Sequence, residues 1–385
     1  MSSAESATRE RYAAAAAAPE AALCCPVDYD PQFLKAIPAE VIEKDYGCGD
    51  PSKHLHPGET VLDLGSGTGK ICFIASQVVG PTGRVIGVDM TDDMLEVANR
   101  NAPIVAKNIG HANVEFRKGR IQDLALDLDL LDKELANHPI SSAASFLAAD
   151  EIAADLRVKQ PLVATESIDV VVSNCVLNLV ESRLKRQLFD EIFRVLKRGG
   201  RAVISDIVSD EEIPAHLQDD PYLWSGCISG AYTEEGFLKA FADAGFHGIE
   251  ILKRDDAPWQ TVEGIEFRSV TIRAWKGKQG PCFERNQAVI YKGPFLKVLD
   301  DDGHAMERGK RYAVCDKTFQ IYQRPPYRDF FNFVEPLTPI APDEAQPFDC
   351  TRTELRHPKE TKGQDYNATT EAAKCRTGGD GASCC

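Results

Sequence analysis

The sequence lacks any long hydrophobic run and has no excess of basic residues. No apolar stretch approaches the roughly 18–20 residues that a membrane-spanning helix needs. The formal net charge of −15 disfavours nucleic acid as a partner, because neutralising phosphates requires a basic face. The same charge disfavours an anionic membrane surface. These absences exclude membrane-spanning and nucleic-acid-binding proteins from the classes that need to be considered.

The sequence also lacks a Cys-x-x-Cys motif, which disfavours a zinc ribbon, and it lacks the apolar core of a secretory signal. Yet it contains 12 cysteines, including the vicinal pairs Cys24-Cys25 and Cys384-Cys385. In a chain of 385 residues they are too sparse for a disulfide scaffold. We therefore expect a soluble cytoplasmic protein whose thiols serve catalysis, metal binding or redox exchange, while organelle targeting stays open.

Strand and helix patterns alternate from Val61 to Ser205, and beyond Asp206 the alternation fades. The alternation predicts an α/β fold with a doubly wound, Rossmann-like parallel sheet. A smaller α+β region and a small β-rich region are expected to follow it. The insert between Leu124 and Thr165 is longer than the usual connection between a strand and a helix, and the sequence assigns it no role. The predicted strands are Val61–Leu64, Arg84–Val88, Val114–Lys118, Ile168–Ser173 and Arg201–Ser205.

A glycine-rich loop, Gly65-Ser66-Gly67-Thr68-Gly69, follows the first strand. A dinucleotide fingerprint would need glycine where Lys70 stands, so the loop is instead typical of class I methyltransferases, which bind S-adenosylmethionine. Asp89 ends the second strand, where a carboxylate can accept both ribose hydroxyls. A lone glycine turn could merely connect strand to helix, but strand, loop, helix, strand and terminal acid together favour the cofactor. The candidate cofactor-binding residues are Asp63, Gly65, Ser66, Gly67, Asp89, Met90 and Asn174.

Two cysteines lie at positions typical of active-site residues. Cys72 follows the loop of the first strand and Cys175 follows the fourth strand, and those strands are neighbours in the methyltransferase sheet order. The helix N-terminus should also favour the thiolate of Cys72. Cys227 lies on a segment that could cover the strand ends. Each cysteine taken singly could be a small buried hydrophobe, a description that suits Cys282 and Cys315 well.

These residues resemble the arsenite S-adenosylmethionine methyltransferases over most of the chain. The specific segments run from Ser173 to Val180, which contains Ser-Asn-Cys, and from Trp224 to Ala231, which contains Trp-x-x-Cys. A weaker one is Tyr46-Gly47-Cys48-Gly49. One departure is Lys70-Ile71-Cys72-Phe73, where the family usually has Arg-Asp-Cys-Tyr, so a polar contact to the methionyl part of the cofactor is expected to be missing.

The resemblance implies an enzyme that moves methyl groups from S-adenosylmethionine to As(III), giving mono-, di- and trimethylated arsenicals. It implies that Cys175 and Cys227 bind As(III), with Cys72 as third thiolate. It also implies that Cys48 is the redox partner of Cys72, and that thioredoxin or glutathione restores their thiols. The substrate would be arsenite or methylarsenite as thiol conjugates, and a monomer is expected.

Two alternative functions stay open beside this one. One alternative is methylation of an organic small molecule such as a sterol or quinone. The other is a thiol-rich metalloid chaperone without enzymatic activity. The expected division is a disordered or weakly helical N-terminus at 1–30, a cofactor-binding methyltransferase domain at 31–212, an arsenic-binding domain at 213–279, a small C-terminal domain at 280–345 and a cysteine-containing disordered tail at 346–385.

Overall fold

The computed structural model describes residues 4–18, 20, 27–44, 46–351 and 353–370. The chain divides into two compact units, Met1–Lys278 and Gln279–Cys385. Within the described ranges, no helix is both long enough and apolar enough to cross a membrane.

The first unit is built on one mixed sheet of nine strands in the order β3-β2-β1-β4-β5-β9-β7, with β6 beside β5 and β8 beside β9. Neighbours from β3 to β5 are parallel, whereas β9 runs antiparallel to both β5 and β7. The predicted doubly wound α/β class is confirmed. The strands are β1 Thr60–Leu64, β2 Arg84–Asp89, β3 Val114–Lys118, β4 Ile168–Asn174, β5 Leu196–Ser209, β6 Tyr232–Thr233, β7 His247–Arg254, β8 Gln260–Val262 and β9 Ile265–Trp275.

Helices cover both faces of this sheet. Pro38 separates the short helices α2 and α3, as its fixed backbone predicts. The helices of the first unit are α1 Ala4–Ala17, α2 Pro31–Leu34, α3 Ala39–Glu43, α4 Lys70–Val79, α5 Asp92–Ile109, α6 Leu128–Asn137, α7 Ala143–Lys159, α8 Lys185–Val195, α9 Ala215–Gln218, α10 Pro221–Ser225 and α11 Glu234–Asp243.

The alternation of side chains along β1 decides which face each one joins. Leu62 and Leu64 point into the core formed with α8 and α11. Val61 points to the opposite face and packs with α4 and α5. Asp63 shares the face of Val61, which places a buried carboxylate beside the first turn of α4.

Residues 213–279 do not form a compact unit of their own. They contribute β7 and β9, which extend the main sheet beyond β5, with Arg201 aligned to Trp275. The expected boundary at 212 is therefore wrong, because antiparallel pairing joins this region to the same hydrophobic core. Val270 and Ile272 of β9 are buried in that core.

Disorder and weak helix were both open for the N-terminal segment, and residues 4–17 form a helix. Helix α1 has two buried alanines, Ala15 and Ala16, which pack against Tyr46 and Met94. The sequence pattern could not decide between helix and disorder here, because a row of alanines carries no apolar period. Tertiary packing stabilises it.

The insert forms the helical hairpin α6–α7. Leu126, Ala153 and Leu156 make a small separate cluster there. A capping box between Ser142 and Ser145 begins α7, and Arg157 Nη2 of the same helix donates to Asp123 Oδ2 at 2.8 Å. The insert is therefore an ordered helical hairpin between β3 and β4.

The described residues of the second unit form three small sheets. Its core packs β11, β14 and β15 against α12, with Tyr291 and Phe319 almost fully buried. The described part of the expected disordered tail contains β16 and α13, so disorder is wrong for those residues; 371–385 lie outside the described residues. The elements are β10 Phe283–Glu284, β11 Ala288–Tyr291, β12 Lys297–Leu299, β13 Ala305–Glu307, β14 Arg311–Ala313, α12 Asp316–Tyr322, β15 Phe331–Val334, β16 Gln346–Pro347 and α13 Pro358–Lys362.

Candidate active site

A cavity lies at the carboxyl ends of β1, β2 and β4. Ligands of open α/β sheets bind at this edge. Its wall includes the predicted cofactor residues Asp63, Gly65, Ser66, Gly67, Asp89, Met90 and Asn174. The structure therefore brings this predicted set together around one cavity.

The glycine loop is shaped by two constraints at Gly65. Its φ is +69°, and a Cβ there would lie 2.4 Å from a methyl carbon of Val176. The amides of Gly65 and Ser66 both donate to the carbonyl of Val88, at 2.8 and 3.0 Å. The loop is thus fastened to β2, and only glycine fits at its first position.

Asp89 is held by the backbone at the end of β2. Its two carboxylate oxygens accept hydrogen bonds from the amides of Gly67 at 2.8 Å and Thr91 at 2.9 Å. Burial raises the pKa of Asp89, although these amides oppose the shift. Each oxygen keeps a further acceptor site, so the carboxylate can still take ribose hydroxyls. The loop, the carboxylate and the cavity together fit S-adenosylmethionine.

The cavity wall reflects the departure from the family motif. Ile71 lines the cavity at the position where the family usually has aspartate. Lys70 Nζ lies over the ring of Tyr29, 3.8 Å from its centroid. An apolar side chain therefore faces the cofactor region where a polar one was expected from the resemblance.

Cys72 lies behind the cavity wall in the cluster formed by α4 and the facing strands. Its thiol is fully buried and donates to Asp63 Oδ2 at 3.2 Å. Burial raises the pKa of Cys72 well above its usual value, and the charge of Asp63 raises it further. The prediction that the helix N-terminus favours the thiolate is wrong, because desolvation and the carboxylate outweigh the helix.

The Cys48 loop is attached to the end of β4 by one side chain. Asn174 accepts from the amides of Cys48 and Gly49 at 2.8 and 3.0 Å, and donates to the Gly49 carbonyl at 2.8 Å. A Cβ at Gly47 would lie 2.0 Å from the Asn174 amide nitrogen. Asn174 therefore positions Cys48, while its predicted contact with the cofactor stays a prediction.

Three thiols, those of Cys48, Cys175 and Cys227, share one apolar cluster. The sulfurs of Cys48 and Cys175 and a carboxylate oxygen of Asp206 lie within 4.8 Å of one another. The Cys227 thiol donates to the Cys175 carbonyl at 3.1 Å. Cys175 also lines the cofactor cavity, so this cluster adjoins it.

Both Cys175 and Cys227 have φ of +63°, a backbone conformation that residues other than glycine rarely adopt. Such strain costs on the order of 1–3 kcal/mol and concentrates at functional sites. Asn178 helps to hold this conformation, since its amide donates to the Cys227 carbonyl at 3.4 Å. The two positions are thus fixed by the surrounding structure.

Asp206 is a site residue that the sequence reasoning missed. It is buried beside the thiols and accepts from the amides of Leu177 and Ile207 and from the side chain of Asn178. Burial raises the pKa of Asp206 to about 6. Burial also lowers the pKa of nearby Lys185 to about 8. The sequence could have indicated this residue, because Asp206 comes just after a predicted strand, in a position similar to that of Asp89.

The other missed feature is α1, which supplies Glu5, Thr8 and Tyr12 to the wall of the cavity. Burial raises the pKa of Tyr12 well above its usual value, and the neighbouring thiols of Cys227 and Cys175 raise it further. Tyr12 therefore lies between the cofactor cavity and the sulfurs. The vicinal pairs at 24–25 and 384–385 lie outside the described residues.

The fold and the cavity define a class I S-adenosylmethionine-dependent methyltransferase. A family model described as a methyltransferase domain matches residues 55–149 and 133–245, and one described as a domain of unknown function (DUF8838) matches 278–366. An arsenite methyltransferase from Aquipseudomonas alcaligenes is 32% identical over 327 residues, which cover 81% of this chain and 84% of that protein. The chain belongs to the arsenite methyltransferase family.

Two further similarities agree with this family. An arsenite methyltransferase from Halobacterium salinarum is 38% identical over 231 residues, covering 60% of this chain and 48% of that protein. The solved structure of an arsenic(III) S-adenosylmethionine methyltransferase from Chlamydomonas reinhardtii has a TM-score of 0.55 and 26% identity. That match covers 86% of this chain and 100% of the other.

Proposed function

We propose that this enzyme transfers methyl groups from S-adenosylmethionine to trivalent arsenic held by Cys175 and Cys227. The observation that carries the assignment is the pairing of these two residues. Both are buried, both have φ of +63°, and the Cys227 sulfur lies 3.1 Å from the Cys175 carbonyl beside the cofactor cavity. Soft thiolates are suitable ligands for a thiophilic metalloid.

The chemistry assigned to the chain is binding, orientation and proton transfer. As arsenic exchanges onto the thiols, each new As–S bond releases a thiol proton, and the Asp206 carboxylate is placed to accept one. When bound, the cofactor supplies an electrophilic methyl group. Arsenic would donate its lone pair to that carbon as the sulfur–carbon bond breaks and S-adenosylhomocysteine leaves, so that As(III) becomes As(V). The apolar cluster around the sulfurs excludes water. Positioning of arsenic against the methyl group supplies most of the rate acceleration.

The third sulfur has two candidates. The family resemblance assigns it to Cys72, with Cys48 as the redox partner. Proximity supports Cys48, whose sulfur lies within 4.8 Å of the Cys175 sulfur. The Cys72 thiol instead donates a hydrogen bond to Asp63. We favour Cys48 as third ligand in this conformation, which leaves Cys72 as the thiol that would form a disulfide with it.

Reduction completes each cycle in this proposal. Two protein thiols give two electrons to As(V) and become a disulfide, and thioredoxin or glutathione returns them to thiols by exchange. We place this cycle in a reducing compartment such as the cytoplasm, where reductants maintain protein thiols. Repeated cycles would give mono-, di- and trimethylated products.

The test replaces each proposed ligand singly. Cys175→Ser and Cys227→Ser should each lower methylation of arsenite by at least about 10²-fold, because arsenic is no longer held in position. The readouts are formation of S-adenosylhomocysteine and speciation of the arsenic products. Cofactor affinity, measured by calorimetry, should stay unchanged. Cys375→Ser is the control for the exchange of sulfur for oxygen.

The outcomes separate the candidates. Near-normal turnover of arsenite by either variant would remove that residue from the site. With methylarsenite, which takes two thiols, Cys48→Ser should retain more activity than with arsenite if Cys48 is the third ligand. If Cys72→Ser shows that pattern instead, the third ligand is Cys72.

A further inference from the structure

The second unit contains another group of thiols, separate from the proposed arsenic site. The sulfurs of Cys282, Cys315 and Cys350 all lie within 4.8 Å of one another. Cys315 is 1% exposed, whereas Cys282 and Cys350 are half-buried. Three residues far apart in sequence thus present sulfur atoms to one point, partly open to solvent.

Backbone pairing brings Cys282 and Cys350 together. Strand β10 begins one residue after Cys282 and pairs with β16, where Phe283 aligns with Pro347. The amide of Phe348 then donates to the Cys282 carbonyl at 2.9 Å. This antiparallel contact holds the two cysteine-bearing segments side by side.

Cys315 and Cys350 are each anchored further. Cys315 precedes α12, and its sulfur accepts from the amide of Thr318 at 3.4 Å. The Cys350 carbonyl lies 2.8 Å from His304 Nε2, and His304 Nδ1 lies 2.9 Å from Asp300 Oδ2. Since both partners of the imidazole are oxygen acceptors, the ring donates from both nitrogens and fixes the Cys350 backbone.

The donor set is three sulfurs. Among the described side chains, no histidine or carboxylate joins this group. His304 is nearby, but both of its nitrogens are already used. Zinc in structural sites takes four protein ligands in a tetrahedron. Trivalent arsenic takes three and keeps a lone pair, so a triangle of thiols suits the metalloid better.

We propose that Cys282, Cys315 and Cys350 form a second site for trivalent arsenic. Binding arsenous acid makes three As–S bonds and breaks three As–O bonds. The three thiol protons leave with the three oxygens as water, and no atom is oxidised or reduced. The site shares no residue with the methyl-transfer site, so it goes beyond the proposed function and stands independently of it.

The experiment uses the full-length chain with Cys175→Ser and Cys227→Ser to remove the first site, and with serine at the five cysteines outside the described residues. Arsenite is titrated under a phosphine reductant, bound arsenic is counted by mass spectrometry after desalting, and unreacted thiols are counted in parallel. We expect one arsenic per chain, three masked thiols per arsenic, and three sulfur neighbours in X-ray absorption spectra.

Variants in the same background assign the ligands. Cys315→Ser and Cys350→Ser should each weaken arsenite binding by about 10²-fold, because the third attachment is intramolecular. Circular dichroism checks the fold, and the half-buried Cys350 provides the test if Cys315→Ser does not fold. Thr338→Ala, at an exposed position of the same unit, is the control and should bind like the background.

Three results would overturn the proposal. They are arsenic binding that neither variant weakens, two masked thiols per arsenic, or tight zinc binding with arsenite excluded. None of these concerns methylation by the natural chain. Failure of the proposed function would show instead as turnover retained by Cys175→Ser or Cys227→Ser.

Discussion

The Asp206 carboxylate distinguishes the sulfur cluster from an ordinary group of buried cysteines. While it is charged, a buried carboxylate next to thiols raises the free energy needed to ionise them. The same carboxylate can take a proton from a thiol that binds arsenic. Its pKa of about 6 leaves it mostly ionised at neutral pH. Three donors around it, two backbone amides and the side-chain amide of Asn178, keep that charge in a fixed place.

The pH dependence of Asp206 has a definite sign. Its folded pKa is raised above the usual value of 3.8 to about 6, mainly by burial. Its contribution to stability is therefore fully present below the unfolded pKa and is lost as pH rises from about 4 through 6. Asp206→Asn should remove this decline from the free energy of unfolding measured across that range.

The same variant should also change how the rate of arsenite binding depends on pH. Above pH 6 the natural carboxylate can accept the thiol proton, so the binding rate should rise from pH 5 to 7. In Asp206→Asn that rise should shrink, and the rate at pH 7 should fall by roughly 10²-fold. Stopped-flow fluorescence of Trp224 provides the measurement. Asp210→Asn, at an exposed position beyond the same strand, is the control; equal rates in the two variants would exclude the role.

At the scale of the element, α1 connects the cofactor cavity to the thiol cluster. Arg11 Nη1 donates to the Tyr222 carbonyl at 2.9 Å and to Ser225 Oγ at 3.0 Å, and the guanidinium lies over the Tyr222 ring at 4.4 Å. Both partners belong to α10, which precedes Cys227 by two residues. Docking of α1 and placement of Cys227 therefore depend on the same contact.

Removing this contact should weaken cofactor binding. Arg11→Ala should raise the Kd for S-adenosylmethionine by about tenfold, since hydrogen bonds from a charged donor contribute about 1.5–3 kcal/mol each. The physical reason is that an undocked α1 no longer supplies its part of the cavity wall. Isothermal titration calorimetry measures the change.

The matched control for Arg11→Ala is Arg9→Ala, because Arg9 is exposed on the same helix. Its Kd should equal that of the natural chain. If both substitutions change the Kd alike, net charge is responsible and α1 does not act as a wall of the cavity. If neither does, α1 is dispensable for binding the cofactor.

At the scale of the whole molecule, the chain separates into two cores. Every strand pairing of the nine-stranded sheet lies before Lys278, and every pairing of the smaller sheets lies after Gln279. The core of the first unit is correspondingly complete, with both faces of its sheet covered by helices. Such a unit can fold independently.

A chain ending at Lys278 should therefore fold and keep its affinity for S-adenosylmethionine. We expect a single cooperative thermal transition that shifts upward with added cofactor, as binding to the native state requires. Differential scanning calorimetry measures this. An insoluble fragment, or a transition that the cofactor does not move, would contradict the independence of the first unit.

Much of the fold could be predicted from local pattern. The strands before Asp206 and the glycine loop are visible because their periodicity and composition are local. Helix α1 was left undecided between helix and disorder, since alanine carries no apolar period. The continuation of the sheet by β9 was missed, since antiparallel pairing with β5 is a contact between distant segments. The predicted class and family are confirmed.

The candidate site divides in the same way. Asp89 and Gly65 follow from position in a strand–loop–helix unit, whereas the roles of Cys48, Cys72, Cys175 and Cys227 stay predictions. Cys72 was expected to ionise easily from its place on α4, but its neighbour Asp63 faces it because of side-chain alternation in β1. Position along one helix could not reveal that neighbour.

The sequence by itself determined the glycine loop, the start of the sheet and the presence of thiols suited to a soft ligand. Only the tertiary structure decided which sulfurs meet: Cys48 with Cys175 beside Asp206, and Cys282 with Cys315 and Cys350. The physical reason is that a sulfur has a short reach. Whether two of them meet depends on strand register and side-chain direction between segments far apart in the chain, which local patterns do not encode.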